Sequence, residues 1–246
     1  MKPKRTNPRV ANLAFVVTTA IAVCAAVLTI ASTALAGEGN ADNPGIAPPN
    51  SNPHGHSYGE WSAELWKQAI EGPVAGNPFV EGGSYALTKN VWALAAPLGP
   101  AVFECSIPTG VGLFVPSLII ECSSLEPPES GFHGDTEAEQ AECAAYWANH
   151  IVDLSVEIDG ELVQNLESYR VVSPQFAFTA PEPNILGVAG GGAGTAVADG
   201  YYVMLAPLSR GAHIIRVRGA LHFSVAEGDP FDFDLPSDVT YLITVD

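Results

Sequence analysis

From residue 201 to the C-terminus the chain is a series of short apolar runs cut by turn residues. This spacing restricts the fold more than any other feature. "YYVMLAPL" and "AHIIRVRG" flank Ser209-Arg210-Gly211, a tight connection, and "LHFSV" and "VTYLITV" follow, separated by the acidic loop "AEGDPFDFDLPSD". Runs of this length, rich in β-branched and aromatic residues, read as strands, antiparallel by connection. The texture begins earlier, with "NVWALAAPLG", "AVFECSI" and "GLFVPSLII" from residue 90 on. "DLSVEIDGELVQNL" carries Asp159-Gly160, a strong hairpin signal, and "YRVVSPQFAF" adds a strand. The pattern predicts a mostly β fold, an antiparallel β-sandwich of Ig-like or jelly-roll-like type with two short helices.

The helices announce themselves by their starts. In "SYGEWSAELWKQAIEGP", Ser57 and Glu60 have capping-box spacing, Trp61, Leu65, Trp66, Ala69 and Ile70 form an apolar stripe, and Gly72-Pro73 ends the pattern. "DTEAEQAECAAYWANH" predicts a helical insert at about 136–149, capped by Asp135 or Thr136, with acids in its first turn where the helix dipole favours them. The segment "PEPNILGVAGGGAGTAVADG" reads as a surface loop. Its glycines lack the following helix and lysine of a phosphate cradle.

The N-terminus has the form of an export signal: a basic head (Lys2, Lys4, Arg5, Arg9), a long apolar run, and Ala34-Leu35-Ala36 before a cleavage point. An uncleaved N-terminal membrane anchor is the alternative, since the run is long enough to span a bilayer. The expected organisation is a signal peptide over 1–36, a flexible leader over 37–56 and a single β-sandwich domain over 57–246. The expected location is secreted, cell-surface or periplasmic, with no membrane contact after cleavage. Cleavage removes four basic residues and no acid. That leaves six basic against 27 acidic residues, a formal charge of −21. Such a field repels a phosphate backbone, so nucleic acid is excluded as a partner; a neutral solute, a glycan or a protein remains open.

Three cysteines follow the cleavage point. Outside the cytoplasm two should oxidise. The expected pair is Cys122 with Cys143, tying a strand end to the helix, with Cys105 left as a buried thiol. The word Glu-Cys-Ser occurs twice, at residues 104–106 and 121–123. If the strands on either side of Pro108-Thr109-Gly110 pair as a hairpin, Glu104 lies opposite residue 116 and Glu121 falls beyond the pairing. That puts the acids too far apart for a glycosidase pair, which needs about 5–10 Å. Pro116 cannot donate to a ladder, so it belongs at an edge or a bulge.

Several phrases together, "SYGEWSAELWKQAI", "VWALAAPLG…FECSIPTGVGLFVPSLIIECSSLE", "VEIDGELVQNLESYRVVSPQFAF" and "ADGYYVMLAPLSRGAHIIRVRG", resemble an uncharacterised family of secreted bacterial proteins with a Trp-rich first helix and an E-C-S strand motif. The resemblance spans about residues 57 to 245. Lys67-Gln68 here replaces the family's denser tryptophan cluster, and Val111-Gly112 its Gly-Lys. The resemblance implies export and the fold, and brings no activity with it.

No serine-hydrolase elbow and no His-Glu-x-x-His zinc motif occurs. His54 and His56 form a possible metal pair without a fixed partner. The remaining histidines are scattered singly. Three functional readings follow. The first is an exported non-catalytic binding or structural module, with Trp61, Trp66 and Trp92 as ligand-stacking candidates. The second is an extracellular, carbohydrate-active hydrolase using Glu104, Glu121 and Glu126. The third is a module stabilised by Ca²⁺ through Asp229, Asp232, Asp234 and Asp238, whose oxygens are spaced to hold a hard cation. The first reading requires no cofactor.

Overall fold

A computed structural model describes residues 40–246. The expected signal peptide and the start of the expected leader lie outside the described residues. Eleven strands form two sheets: β1 (Gly83–Ala86), β2 (Val91–Ala95), β3 (Pro100–Ile107), β4 (Gly112–Ser123), β5 (Ile151–Ile158), β6 (Glu161–Leu162), β7 (Arg170–Val172), β8 (Phe176–Ala180), β9 (Gly192–Leu205), β10 (Gly211–Phe223) and β11 (Phe233–Val245). The first sheet runs β1-β2-β4-β9-β7, with β8 also on β9, and the second runs β3-β11-β10-β5-β6. The chain is a β-sandwich, as the strand spacing predicted. Three helices accompany it: α1 (Tyr58–Glu71), the single-turn α2 (Pro78–Glu81) and α3 (Glu137–Ala148).

The sandwich is mixed rather than purely antiparallel. β2 runs parallel to β4, and β3 runs parallel to β11. The hairpin expected between residues 101–107 and 112–122 does not form, because β3 and β4 belong to different sheets. β9 and β10 likewise enter different sheets, so the Ser209-Arg210-Gly211 segment crosses between layers. A local turn signal shows where a chain reverses; it does not say which sheet the next strand joins. The Asp159-Gly160 hairpin does form, with Ile158 opposite Glu161 and both turn residues at positive φ (51° and 89°).

Helix α1 is closed by a complete capping box. The Ser57 hydroxyl accepts from the Glu60 amide, and the Glu60 carboxylate accepts from the Ser57 amide. Thr136 and Glu139 repeat the device at α3. The apolar stripe of α1 packs on the first sheet, where Trp61 and Tyr58 meet Phe114, and Ser62 Oγ donates to Tyr202 at 2.7 Å. One core joins α1 to both sheets through Leu65, Phe114, Tyr202, Ile215, Val217 and Tyr241. Helix α3 instead seals one end, packing Ala144 and Ala148 on Ile120, Cys122, Leu221 and Phe223.

The leader differs from expectation over its described part. Ile46 is buried and bridges to Leu205, Ala47 donates its amide to Met204, and the Ala206 amide donates to Gly45. Residues 45–47 add backbone to the end of β9, where composition alone predicted flexibility. The glycine-rich segment also departs from its reading as a loop, because residues 192–200 form the first half of β9 and pair with β8 and β4.

One irregularity positions the candidate site. β4 pairs with β9 up to Pro116, and the register resumes only at Ile119. Pro116 therefore sits at a bulge, as its missing N–H requires. Gly200 faces Ile119 where pairing resumes, and a Cβ there would lie 2.6 Å from the Ile119 Cα. On its other side β4 holds β2 only over Val91–Ala93 against Gly112–Phe114. Beyond Phe114 the edge of β4 is released from β2, and a gap opens.

Candidate functional site

The gap is a cavity of about 170 Å³ between the sheets. The β4 bulge (Pro116, Ser117, Leu118) forms one wall, and Val217, Val239 and Tyr241 of the second sheet form the facing wall. Trp66 from α1 and Phe79 from α2 meet at one corner, with ring centroids 4.9 Å apart and planes inclined by 43°. Burial drives the Tyr241 phenol well above its ordinary range, so it stays protonated at any physiological pH. Among the described residues no carboxylate, imidazole or thiol lines this space.

Its polar groups are few and poorly served. Ser117 Oγ and Trp66 Nε1 are buried without a hydrogen-bond partner, and neither presents surface to the cavity. Ser237 adds a second hydroxyl, buried at the opposite wall. Polar atoms withdrawn from water and left unpaired cost about 1–3 kcal/mol each, and native chains keep few of them. A bulge explains Ser117. Residues between the two registers lose their cross-strand neighbours, so the hydroxyl has nothing beside it in the sheet.

The three tryptophans of the sequence reading are thereby separated. Trp66 lines the cavity. Trp61 is buried and spends its indole N–H on the Pro53 carbonyl at 2.9 Å. Trp92 is half-buried against the core. They form no exposed aromatic row. Trp147 heads a different cluster, stacked on Phe132 at 4.5 Å and edge-on to Phe223 at 5.0 Å, with Tyr146, Phe231 and Phe233 partly exposed around it.

The carboxylates are distributed as follows. Glu104 is exposed on β3 in the second sheet, while Glu121 is 6% exposed on β4 in the first. Glu121 lies opposite Ala198, which packs under α1, and cross-strand partners share a face. Glu126 comes close to it instead. The Ser123 hydroxyl donates to Glu126 at 3.3 Å and accepts the Glu126 amide at 3.4 Å. Burial raises Glu121 well above the usual carboxylate range, and the neighbouring Glu126 adds to the rise. Burial likewise pushes Glu126 up to about 7, with the Ser123 hydroxyl and amide and His133 pulling the other way. One oxygen of Glu121 has no partner. Burial of the two neighbouring acids favours the protonated form of each. Sequence reasoning measured Glu121 against Glu104 and missed Glu126 as its real neighbour. The turn after Ser123 was the available signal.

The aspartates proposed for Ca²⁺ have other work. Asp229 accepts from His150 at 2.9 Å and from the Ser224 amide at 2.7 Å, and Asp232 accepts from the Val225 amide. Asp238 takes Arg216 through two hydrogen bonds, and Asp234 lies 3.6 Å from His222. Among the described residues no group of three or more His, Cys, Asp or Glu is poised to hold a metal ion. The disulfide is Cys122–Cys143, and Cys105 is a buried free thiol, both as expected. No described helix is long and apolar enough to cross a membrane.

No family model matches the chain. No curated protein matches it either. Among solved structures, the cysteine protease inhibitor EhICP2 from Entamoeba histolytica is 10% identical over 60% of this chain and 96% of its own, with a TM-score of 0.19. Amebosin, solved in solution, is 10% identical over 61% of this chain and 99% of its own, with a TM-score of 0.16. Likeness at that level carries no argument about activity.

Proposed function

We propose that the chain is an exported, non-catalytic module that binds a neutral solute in the cavity between its sheets. The observation behind this reading is the character of that cavity: apolar walls, an aromatic corner and a few hydroxyl-bearing residues (Ser117, Ser237, Tyr241), with no carboxylate, imidazole or thiol among its lining residues. Binding sites commonly combine apolar walls with a few polar atoms in this way. The disulfide accords with an oxidising compartment, and the N-terminal signal pattern supplies the route there.

The test is binding to the exported chain, followed by tryptophan fluorescence and calorimetry against a panel of small neutral solutes. A saturable response that disappears when the bulge is filled by Leu118→Trp supports the reading. Turnover of any panel member, or a response unchanged by the filled bulge, contradicts it.

The hydrolase alternative retains one favourable observation. Glu126 is partly exposed and titrates near neutrality, as a general acid should. Its partner Glu121 is sealed, and Glu104 stands on the other sheet. Glycoside hydrolysis abolished by Glu126→Gln would establish it.

A further inference from the structure

A second surface stands at the end of the sandwich sealed by α3. Phe223 is buried there, with Phe231, Tyr146 and Phe233 around it at ring-centroid distances of 5.2, 5.8 and 6.1 Å. These three outer rings are 41%, 40% and 39% exposed, and Val225 beside them is exposed as well. The core at this end closes on Phe223 without them. Neighbouring large apolar side chains left in water mark an interaction surface. None of them lines the cavity. We infer that this end docks a protein partner through an arginine side chain, with the guanidinium received on the exposed rings of Phe231 and Phe233.

Charge selects the class of partner. Segments 137–150 and 222–234 supply these rings, and together they hold seven Asp and Glu residues and no Lys or Arg. Ring faces carry negative potential, so rings and acids both favour a cation. Phe231 and Phe233 stand nearly perpendicular, at 80° with centroids 6.5 Å apart, and offer no common flat platform for a sugar ring. Arginine suits the site better than lysine, because its plane stacks on an aromatic face, it sheds water more easily and its fork matches a carboxylate. Acceptors stand next to the rings in the chain. Asp232 engages one oxygen with the Val225 amide at 2.9 Å, and the Asp234 side chain is 69% exposed. The strand edge gives the partner's chain its place. β3 pairs with β11 only from Asp238 on, so residues 233–237 have β10 on one side and no strand on the other. Pro236 removes a donor from that stretch, so side-chain contacts rather than an added strand carry the affinity. Rings, aspartates and open edge together extend over more surface than one free guanidinium covers, which points to a side chain borne on a polypeptide.

The experiment is fluorescence anisotropy of a labelled peptide, GSRSRSG, titrated with the chain, beside versions carrying lysine or citrulline in place of arginine. The arginine peptide is expected to bind about two- to fivefold more tightly than the lysine peptide, and the uncharged citrulline peptide not to bind. Phe231→Leu with Phe233→Leu keeps apolar bulk and removes the ring faces. It should weaken the arginine peptide at least about fivefold, the value of one or two exposed cation–π contacts. Asp232→Asn with Asp234→Asn should weaken it too, and serves if the leucine variant fails to fold. Glu161→Gln, at the far end of β5 from Ile151, should change nothing. Binding that survives both double variants is general attraction to an acidic chain and overturns the proposal. So does a lysine peptide that binds as well as the arginine one, or no binding at all. Free arginine that displaces the peptide at the peptide's own concentration would make this a small-molecule site and overturn the protein partner. None of these results bears on the cavity, which the substituted residues do not line.

Discussion

The same three residues, Glu-Cys-Ser, occur on β3 and on β4, and they share almost nothing once folded. On β3, Glu104 and Ser106 face solvent and Cys105 is an unoxidised thiol in the core. On β4, Glu121 and Ser123 are buried, and Cys122 is oxidised to Cys143 on α3. β3 is an edge strand with one wet face. β4 lies inside its sheet and is covered on both faces, by α1 on one and by α3 and Leu221 and Phe223 of the second sheet on the other. The period of two decides which residues share a face. Strand position decides whether the opposite face is water or protein, and burial on β4 raises Glu121 above the usual carboxylate range.

The comparison can be broken at each residue of the triplet, beginning with the cysteines. Replacing Cys122 and Cys143 by serine opens a link that spans 21 residues, and should cost about 3 kcal/mol of unfolding free energy. Urea denaturation measures it; a loss under 1 kcal/mol would mean that the end sealed by α3 is held by packing alone.

The acids come next. Both Glu121 and Glu126 are raised in the folded chain, so the native state holds more protons than the unfolded chain above about pH 4.5. Their contribution to stability is therefore complete below that pH and is lost as pH rises through about 7. The expected fall between pH 4.5 and 8 is on the order of 1–2 kcal/mol, reduced from the full linkage value because Glu126 is partly solvated. Denaturation midpoints at several pH values give the slope. Glu121→Gln with Glu126→Gln should flatten it, and an unchanged slope would place the titration elsewhere.

Cys105→Ser should cost about 1 kcal/mol, since it puts a hydroxyl into a buried thiol site. Burial also raises the Cys105 thiol above its ordinary range, so a disulfide-exchange reagent should label it only on unfolding. Rapid labelling of the native chain would remove β3 from the core. The smallest effect belongs to Glu104→Gln, within about 0.5 kcal/mol, as for other exposed positions.

What could be read from the sequence was local chemistry. Ser57 with Glu60 and Thr136 with Glu139 set helix starts because hydroxyl and carboxylate satisfy free amides within one turn. Asp159-Gly160 set a hairpin because both positions accept positive φ, and Pro116 set a bulge because it lacks a donor. What could not be read was partner choice across layers. Nothing in "AVFECSI" shows that it pairs parallel to residues 238–245, far along the chain. The docking of Ile46 beside Leu205 depends on backbone hydrogen bonds that composition does not encode. The cavity was half legible. Trp66 and Pro116 were each singled out, for stacking and for a break in pairing, but only the fold brings them to one space.

The most direct measurement is methyl NMR of the chain titrated with the panel of small neutral solutes. Binding between the sheets predicts shift changes at Leu118, Val217 and Val239, which line the cavity, and none at Leu125, which packs beneath α1 beside Ala196 and Ala198. Changes confined to the Leu125 neighbourhood, close to Glu121 and Glu126, would contradict the account and move the functional site to the acid pair.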